Sequence, residues 1–172
     1  DTVEKFGGKA IQTFDDHFTG TDRIIEVFLK TLNKIPEVIV NLQGDMPNID
    51  PSSIKDLVSY MKKGKCDIGT LASNIESNLE QHDQNVVKVL VKEKLKLGKF
   101  SEALDFFREY KEKNDNLYHH VGIYAFTNKA LIRYERLKRT KLEIERKLEQ
   151  LRAMENNMSI HVGFINSSPL SV

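Results

Sequence analysis

Residues 38–47, VIVNLQGDMP, change chemistry abruptly along their length. Val38, Ile39 and Val40 form the short apolar run of a buried parallel strand. Asn41, Gln43, Gly44 and Asp45 follow at once. An amide, a glycine that lets a ligand approach the backbone, and a carboxylate thus emerge at a strand's carboxyl end. Open α/β sheets bind their ligands in that place. A carboxylate there can hold Mg²⁺ against the phosphates of a nucleotide, because Mg²⁺ takes one or two protein carboxylates plus phosphate oxygens. An ordinary polar turn uses the same residue types, and the pattern alone leaves both readings open.

Three further groups could carry chemistry. Residues 19–23, TGTDR, sit where a loop meets a helix N-terminus. Backbone N–H groups there can meet an anion or a nucleobase carbonyl, although a plain capped helix explains the residues equally well. His119 and His120 directly precede an apolar strand. Neighbours on an extended segment point to opposite faces, so one of them at most lines a given pocket. Glu143, Glu149, Gln150 and Arg152 fall on one helical stretch, where Glu149 and Arg152 are spaced to pair on one face. Glu145, Arg146 and Lys147 read as solvated surface, and Cys66 as a small buried side chain. Nothing reads as a nucleophile–base pair.

The elements that position these groups alternate. Residues 1–6 read as the tail of a helix closed by Gly7 and Gly8. Residues 10–14 read as a short strand. Thr21 can cap a helix with its stripe at Ile24, Ile25, Phe28, Leu29 and Leu32. After residue 45 come a cap at Asp50, a first-turn proline at Pro51, and a stripe of Ile54, Leu57, Val58 and Met61 ended by Gly64. Strands are expected at 67–72, 86–91, 121–126 and 159–165. Helices are expected at 129–134 and 142–156, the latter unbroken. Residues 100–110 fit helix and strand about equally. The Lys-rich run 92–99 reads as a solvated loop. This alternation predicts an α/β fold, Rossmann-like, with a mainly parallel sheet flanked by helices.

Bulk properties set the outer limits. A chain of 172 residues defaults to one domain with room for a real core. With 40% hydrophobic and 30% charged residues it is globular. A net charge of +1 argues against a nucleic-acid partner held by a broad basic field. A single cysteine excludes a disulfide framework and a cysteine zinc site. No apolar run is long enough for a membrane span, and a reducing, cytoplasmic setting is the simplest expectation.

Taken together, GTDR at 20–23, VNLQGD at 40–45, NVVKV at 85–89, HVGIYA at 120–125 and LEQLR at 148–152 resemble the 3-deoxy-manno-octulosonate (KDO) cytidylyltransferases. The closing residues 171–172, SV, resemble the start of that family's last conserved segment. The resemblance implies transfer of CMP from CTP to KDO, with pyrophosphate released, in lipopolysaccharide synthesis. It implies that Asp45 binds Mg²⁺, that Gln43 lies between nucleotide and sugar, and that Thr21, Arg23 and Gly44 join Gln43 on the nucleotide. It implies that Arg108, His120, Tyr124, Glu149 and Gln150 line the sugar pocket, Arg108 for the carboxylate and the others for hydroxyls. A homodimer is expected. Met46 stands where the family usually has Glu, and Phe107 where it usually has Ser. The family's N-terminal phosphate loop and its second metal-binding aspartate have no counterpart here, so sequence is expected to be missing at both ends, and the chain as it stands is expected to be inactive. A cytidylyltransferase for another sugar acid, such as a sialic acid, and an inactive nucleotide-binding scaffold are the alternatives.

Overall fold

The computed structural model describes residues 2–31, 35–110, 112, 114–166 and 168–169. Leu32 and residues 171–172, which carried expectations above, lie outside them. The chain begins with one helical turn, α1 (Thr2–Lys5), closed by Gly7 in the left-handed region. Residues 10–14 form no strand. The Thr13 hydroxyl and the Phe14 carbonyl accept instead from the guanidinium of Arg23. The next helix, α2 (Gly20–Lys30), is capped by Thr19, whose Oγ1 accepts the Asp22 N–H at 3.1 Å. The expected cap, Thr21, therefore falls in the first turn and is buried. Ile25 and Phe28 form the helix's inner face.

The strand β1 (Val38–Asn41) runs through the 42–50 loop into α3 (Pro51–Met61). Asp50 accepts the Ser52 N–H at 2.9 Å, and Pro51 occupies the first turn, where its missing N–H costs nothing. There follow β2 (Ile68–Ser73), α4 (Asn78–His82), β3 (Lys88–Val91) and β4 (Phe100–Phe107). The ambiguous stretch is thus a strand. Its burial alternates, with Ser101 and Ala103 inside and Glu102 and Leu104 outside, the period of a pleat rather than of a helix. The chain ends with β5 (Leu117–Thr127), α5 (Asn128–Glu135), α6 (Lys141–Arg146), α7 (Gln150–Glu155) and β6 (Ile160–Phe164).

The sheet is mixed, and the expectation of a mainly parallel sheet fails. Among the described residues β2 and β6 are the only parallel neighbours; β5 runs antiparallel to β1, β2 and β3, and β4 runs antiparallel to β3 and β6. The reason is the eleven-residue β5. The β1–α3–β2 unit does set its two strands in one direction, as strand–helix–strand alternation requires. However, β5 lies between them, antiparallel to both. The short links around β4 add antiparallel neighbours, since a parallel pair needs a long crossover. The order β5–β2–β6–β4–β3 returns to β5, so these five strands close on themselves, with β1 outside the ring.

Helices cover the sheet on two sides. Ile25, Phe28, Ile68, Phe106, Phe126, Tyr134 and Leu151 belong to one buried cluster, under α2, α5 and α7. Met46, Leu57, Met61, Leu71, Val121 and Ile123 form the other, under α3. Gly69 allows α3 to sit close to the sheet: a Cβ there would lie 2.7 Å from Met61 Sδ and 2.8 Å from a Leu57 methyl. Cys66 is buried, as expected.

The expected single helix over 142–156 is broken. Lys147 adopts φ +54°, ψ +48°, which ends α6, and α7 starts three residues later. Arg108 takes the carbonyls that the break exposes: its Nε donates to Arg146 O and its Nη2 to Lys147 O, both at 3.2 Å. The break turns Glu149 and Gln150 toward a cavity instead of along a helix surface.

Candidate active site

A cavity of about 850 Å³ lies between the loop after β1, the start of α2, β5 and the α6–α7 break. Its volume suits a ligand or ligand pair well above the size of an ion. On one wall stand Gly20, Gln43 and Asp45. Gln43 packs directly on Gly20, where a Cβ would fall 3.2 Å from Nε2 and 3.3 Å from Oε1. A side chain at position 20 would therefore displace Gln43. Asp45 is exposed on the cavity wall, and no hydrogen bond or ion pair engages its carboxylate among the described residues. Met46, by contrast, is buried beneath it in the α3-side cluster, with its Cε 3.7 Å from the Cβ position of Gly122. It serves as the floor of the wall.

The facing wall comes from β5 and α7. The register between β2 and β5 shifts between Thr70 and Leu71, leaving Gly122 and Ile123 as extra residues on β5. Such bulges re-aim side chains. Here the bulge brings His120 and Tyr124 to one side, with ring centroids 5.5 Å apart. His120 Nε2 lies 2.9 Å from the Thr70 hydroxyl, which donates to the Ile123 carbonyl at 2.7 Å. The hydroxyl's one proton is thus engaged, so His120 must donate to it from Nε2–H. That tautomer leaves Nδ1 as an acceptor. Burial, aided by the neighbouring His119, holds the His120 imidazole down to about 3, so it is neutral near pH 7. Burial, and then the Glu149 carboxylate, pushes the Tyr124 phenol well above its ordinary value and keeps it a donor. His119 lines the same cavity, against the expectation that one of the two histidines at most would do so, and it pairs there with Glu80.

Gln150 is 4% exposed and lines the cavity, and its Nε2 has no hydrogen-bond partner among the described residues. Buried amide donors are rarely left unpaired, so this one is set for a ligand acceptor. Glu149 beside it is raised by burial, opposed by the Thr21 N–H that its Oε2 accepts at 3.2 Å. One carboxylate oxygen thus holds the start of α2. Arg108 lines the cavity but spends three of its five N–H groups on backbone carbonyls, those of Gln84, Arg146 and Lys147. One N–H on each Nη remains for a carboxylate.

Seven sequence-predicted residues therefore converge: Gln43, Asp45, Arg108, His120, Tyr124, Glu149 and Gln150. Three do not. Gly44 is exposed outside the lining, Thr21 is buried behind Gly20, and Arg23 points away to Thr13 and Phe14. The expected Glu149–Arg152 pair is also absent. Arg152 forks onto Glu143 instead, through Nε at 2.9 Å and Nη2 at 2.6 Å, and reaches Asp22 through Nη1 at 2.8 Å. Sequence reasoning missed that triad, as well as Thr70, which fixes the His120 ring. Arg152 and Glu143 are nine positions apart across a helix break that no residue type announced.

Comparison with known proteins bears on this geometry. The family described as cytidylyltransferase matches residues 1–160. The 3-deoxy-manno-octulosonate cytidylyltransferase of Bradyrhizobium sp. (strain ORS 278) is 42% identical over 173 residues, covering 99% of this chain and 69% of its own length. That of Bartonella tribocorum is 39% identical over 179 residues, covering 99% of this chain and 70% of its own. The chain belongs to the 3-deoxy-manno-octulosonate cytidylyltransferase family. A solved structure of CMP:2-keto-3-deoxy-manno-octonic acid synthetase complexed with CTP superposes with a TM-score of 0.85 and 34% identity, covering 99% of this chain and 69% of that one. UTP-bound UGPase from Acinetobacter baumannii, at 12% identity and a TM-score of 0.53, shares the fold alone, covering 86% of this chain and 49% of its own. The strand-end motif stands on one wall of the cavity and the LEQLR segment on the other. None of the helices among the described residues is long and apolar enough to cross a membrane.

Proposed function

We propose that the protein transfers CMP from CTP to 3-deoxy-manno-octulosonate, forming CMP-KDO and pyrophosphate for lipopolysaccharide synthesis. The observation that carries this reading is one continuous cavity lined by Gln43 and Asp45 on one side and by His120, Tyr124, Glu149 and Gln150 on the other. The sugar's anomeric oxygen attacks the α-phosphorus. The bond from that phosphorus to the oxygen bridging to the β-phosphorus breaks, and pyrophosphate leaves.

The chain's residues act mainly by placement. Gln43, seated on Gly20, lies where nucleotide and sugar meet. The Arg108 N–H groups that remain free face the sugar carboxylate. Gln150 supplies an N–H, and neutral His120 an acceptor, to hydroxyls. Asp45, with an unengaged carboxylate on the cavity wall, fits a cation that draws its other ligands from phosphate oxygens. When bound, Mg²⁺ neutralises phosphate charge. A homodimer in the cytoplasm belongs to the same reading.

The test is incubation of the full-length protein with CTP, Mg²⁺ and either KDO or N-acetylneuraminate. CMP-KDO detected by mass spectrometry, with equimolar pyrophosphate, is the expected result. Product from N-acetylneuraminate alone would replace the substrate, and no product from either would remove the reading.

A further inference from the structure

The two walls of the cavity stand on different elements, and one buried side chain fastens them together. Arg152, on α7, is 4% exposed. Its fork onto Glu143 is bidentate, and its remaining Nη1 crosses to Asp22 in the first turn of α2. Charge-assisted, bidentate bonds shielded from water are strong and geometrically narrow. Glu143 is fixed in turn from its own element, accepting the Thr140 N–H and the Arg139 Nε–H, each at 3.1 Å. The Tyr134 ring lies 4.7 Å from the guanidinium carbon. Arg152 is therefore a rigid strut anchored on the α6–α7 side and carrying the start of α2.

That start bears the nucleotide wall. Asp22 donates its N–H to Thr19, Gly20 carries Gln43, and Thr21 N–H reaches Glu149. Glu149 precedes Gln150 directly, and its carbonyl accepts the Tyr134 hydroxyl at 2.9 Å. A shift of Gly20 under an arriving nucleotide cannot leave Glu149 and Gln150 in place, because Asp22–Arg152 and Thr21–Glu149 tie the two segments at two points. We propose, resting on the cytidylyltransferase reading, that Arg152 is a positioning residue which couples the two substrates: occupancy of the nucleotide wall raises affinity for the sugar acid, and the reverse by the same factor. The observation behind it is a contiguous, buried network whose ends lie on opposite walls.

The test is a binding cycle on the full-length protein. The α,β-methylene analogue of CTP, which cannot be split at the reacting bond, is titrated with and without saturating KDO, and KDO with and without the analogue. The wild type is expected to show a coupling of at least about fivefold in both directions, within the usual range for linked sites. Asp22→Ala and Arg152→Lys are expected to lower the factor by at least about twofold, the Thr21–Glu149 tie holding the rest, while each ligand alone binds within about threefold of wild type. A strut that only stabilised the fold would lower the melting temperature and leave the coupling intact. If Arg152→Lys does not fold, Asp22→Ala decides the matter, since it removes the acceptor on α2 and leaves the Arg152–Glu143 fork whole. Coupling undiminished in Asp22→Ala overturns the proposal. So does a wild type that binds both ligands independently. A wild type that binds no CTP analogue overturns the cytidylyltransferase reading itself, and this proposal with it.

Discussion

The two walls of the cavity are built on opposite physical plans. The strand-end wall is wet: Asp45 and Gly44 are exposed, Gln43 is half-buried, and Asp45 has no partner among the described residues. The β5–α7 wall is dry: His120 is 6% exposed, Tyr124 5% and Gln150 4%. A carboxylate that must meet a cation and phosphates gains from water until they arrive, since burying it alone would protonate it instead. Groups that read hydroxyls gain from a low dielectric, where a made hydrogen bond is stronger and a missing one costs more. On the proposed reading, the difference suits the strand-end wall to charge redistribution and the β5–α7 wall to selection.

Four experiments would break or sharpen that contrast. The largest effect is expected at Asp45. Asp45→Asn should keep the fold, weaken CTP binding modestly and lower turnover by at least ~10²-fold, the scale of removing one preorganised electrostatic group. Pyrophosphate release across a range of Mg²⁺ concentrations measures it, and near-normal turnover would remove Asp45 from the metal site. On the dry wall the effect should move to the sugar's KM. His120→Ala and Gln150→Ala are expected to raise the KM for KDO by about fivefold or more, a loss of ~1–3 kcal/mol, with little change for CTP. If CTP saturation moves as far as KDO saturation, the walls are not distinct. The more isosteric Gln150→Leu should at the same time leave the melting temperature of the ligand-free protein equal or higher, because it deletes a buried donor that has no partner there.

The third experiment is a pH titration of stability. His120 is held down to about 3 in the folded protein, against about 6.5 when unfolded. Above ~6.5 both states carry it neutral. As pH falls from there toward 3, the unfolded state takes up a proton that the folded state refuses, so stability is lost across that window. The slope from this one residue is at most about 1.4 kcal/mol per pH unit. Urea unfolding of wild type and His120→Asn should therefore converge at acid pH and diverge above it; parallel curves would mean that His120 titrates normally. The smallest effect is expected at the helix break. Lys147 holds a left-handed backbone that favours glycine. Lys147→Gly should raise the unfolding free energy by about 0.5 kcal/mol, read as a higher urea midpoint at an unchanged slope, and a lower midpoint would show that the Lys147 side chain stabilises more than its backbone strain costs.

The sequence was most legible where the information is local. Asp50 with Pro51 and the existence of a strand at β1 were read correctly, because caps and short apolar runs depend on residues a few positions apart. The stretch 100–107 was left between helix and strand, and β1, expected to be buried and parallel, is half-buried beside antiparallel β5. Seven of the site residues were named in advance. Their chemistry was readable from residue type, and their assignment to one pocket came from resemblance to a family. Less legible were features decided by distant partners. The sheet's direction turned on where an eleven-residue strand inserts, and β5 pairs with β1 from about 85 positions away. The cap at Thr19 in place of Thr21 is a two-residue slip between equally good hydroxyls.

The amino-acid sequence by itself determined most of the elements between residues 20 and 91, the strand-end cluster of amide, glycine and carboxylate, and the family. Each rests on local propensity or on a motif of consecutive residues. Only the tertiary structure decided which wall is wet and which is dry, and that Arg23 faces away. It also decided that Arg152 serves Asp22 and Glu143 rather than Glu149. Burial and long-range hydrogen bonds choose among partners that are chemically equivalent in the sequence, and they do so through packing between elements. The left-handed turn at Lys147 is the sharpest instance. No residue type in LEIERKLEQLR announces a break, and Leu148 is drawn into the core while Arg108, from another strand, takes the carbonyls that the turn sets free.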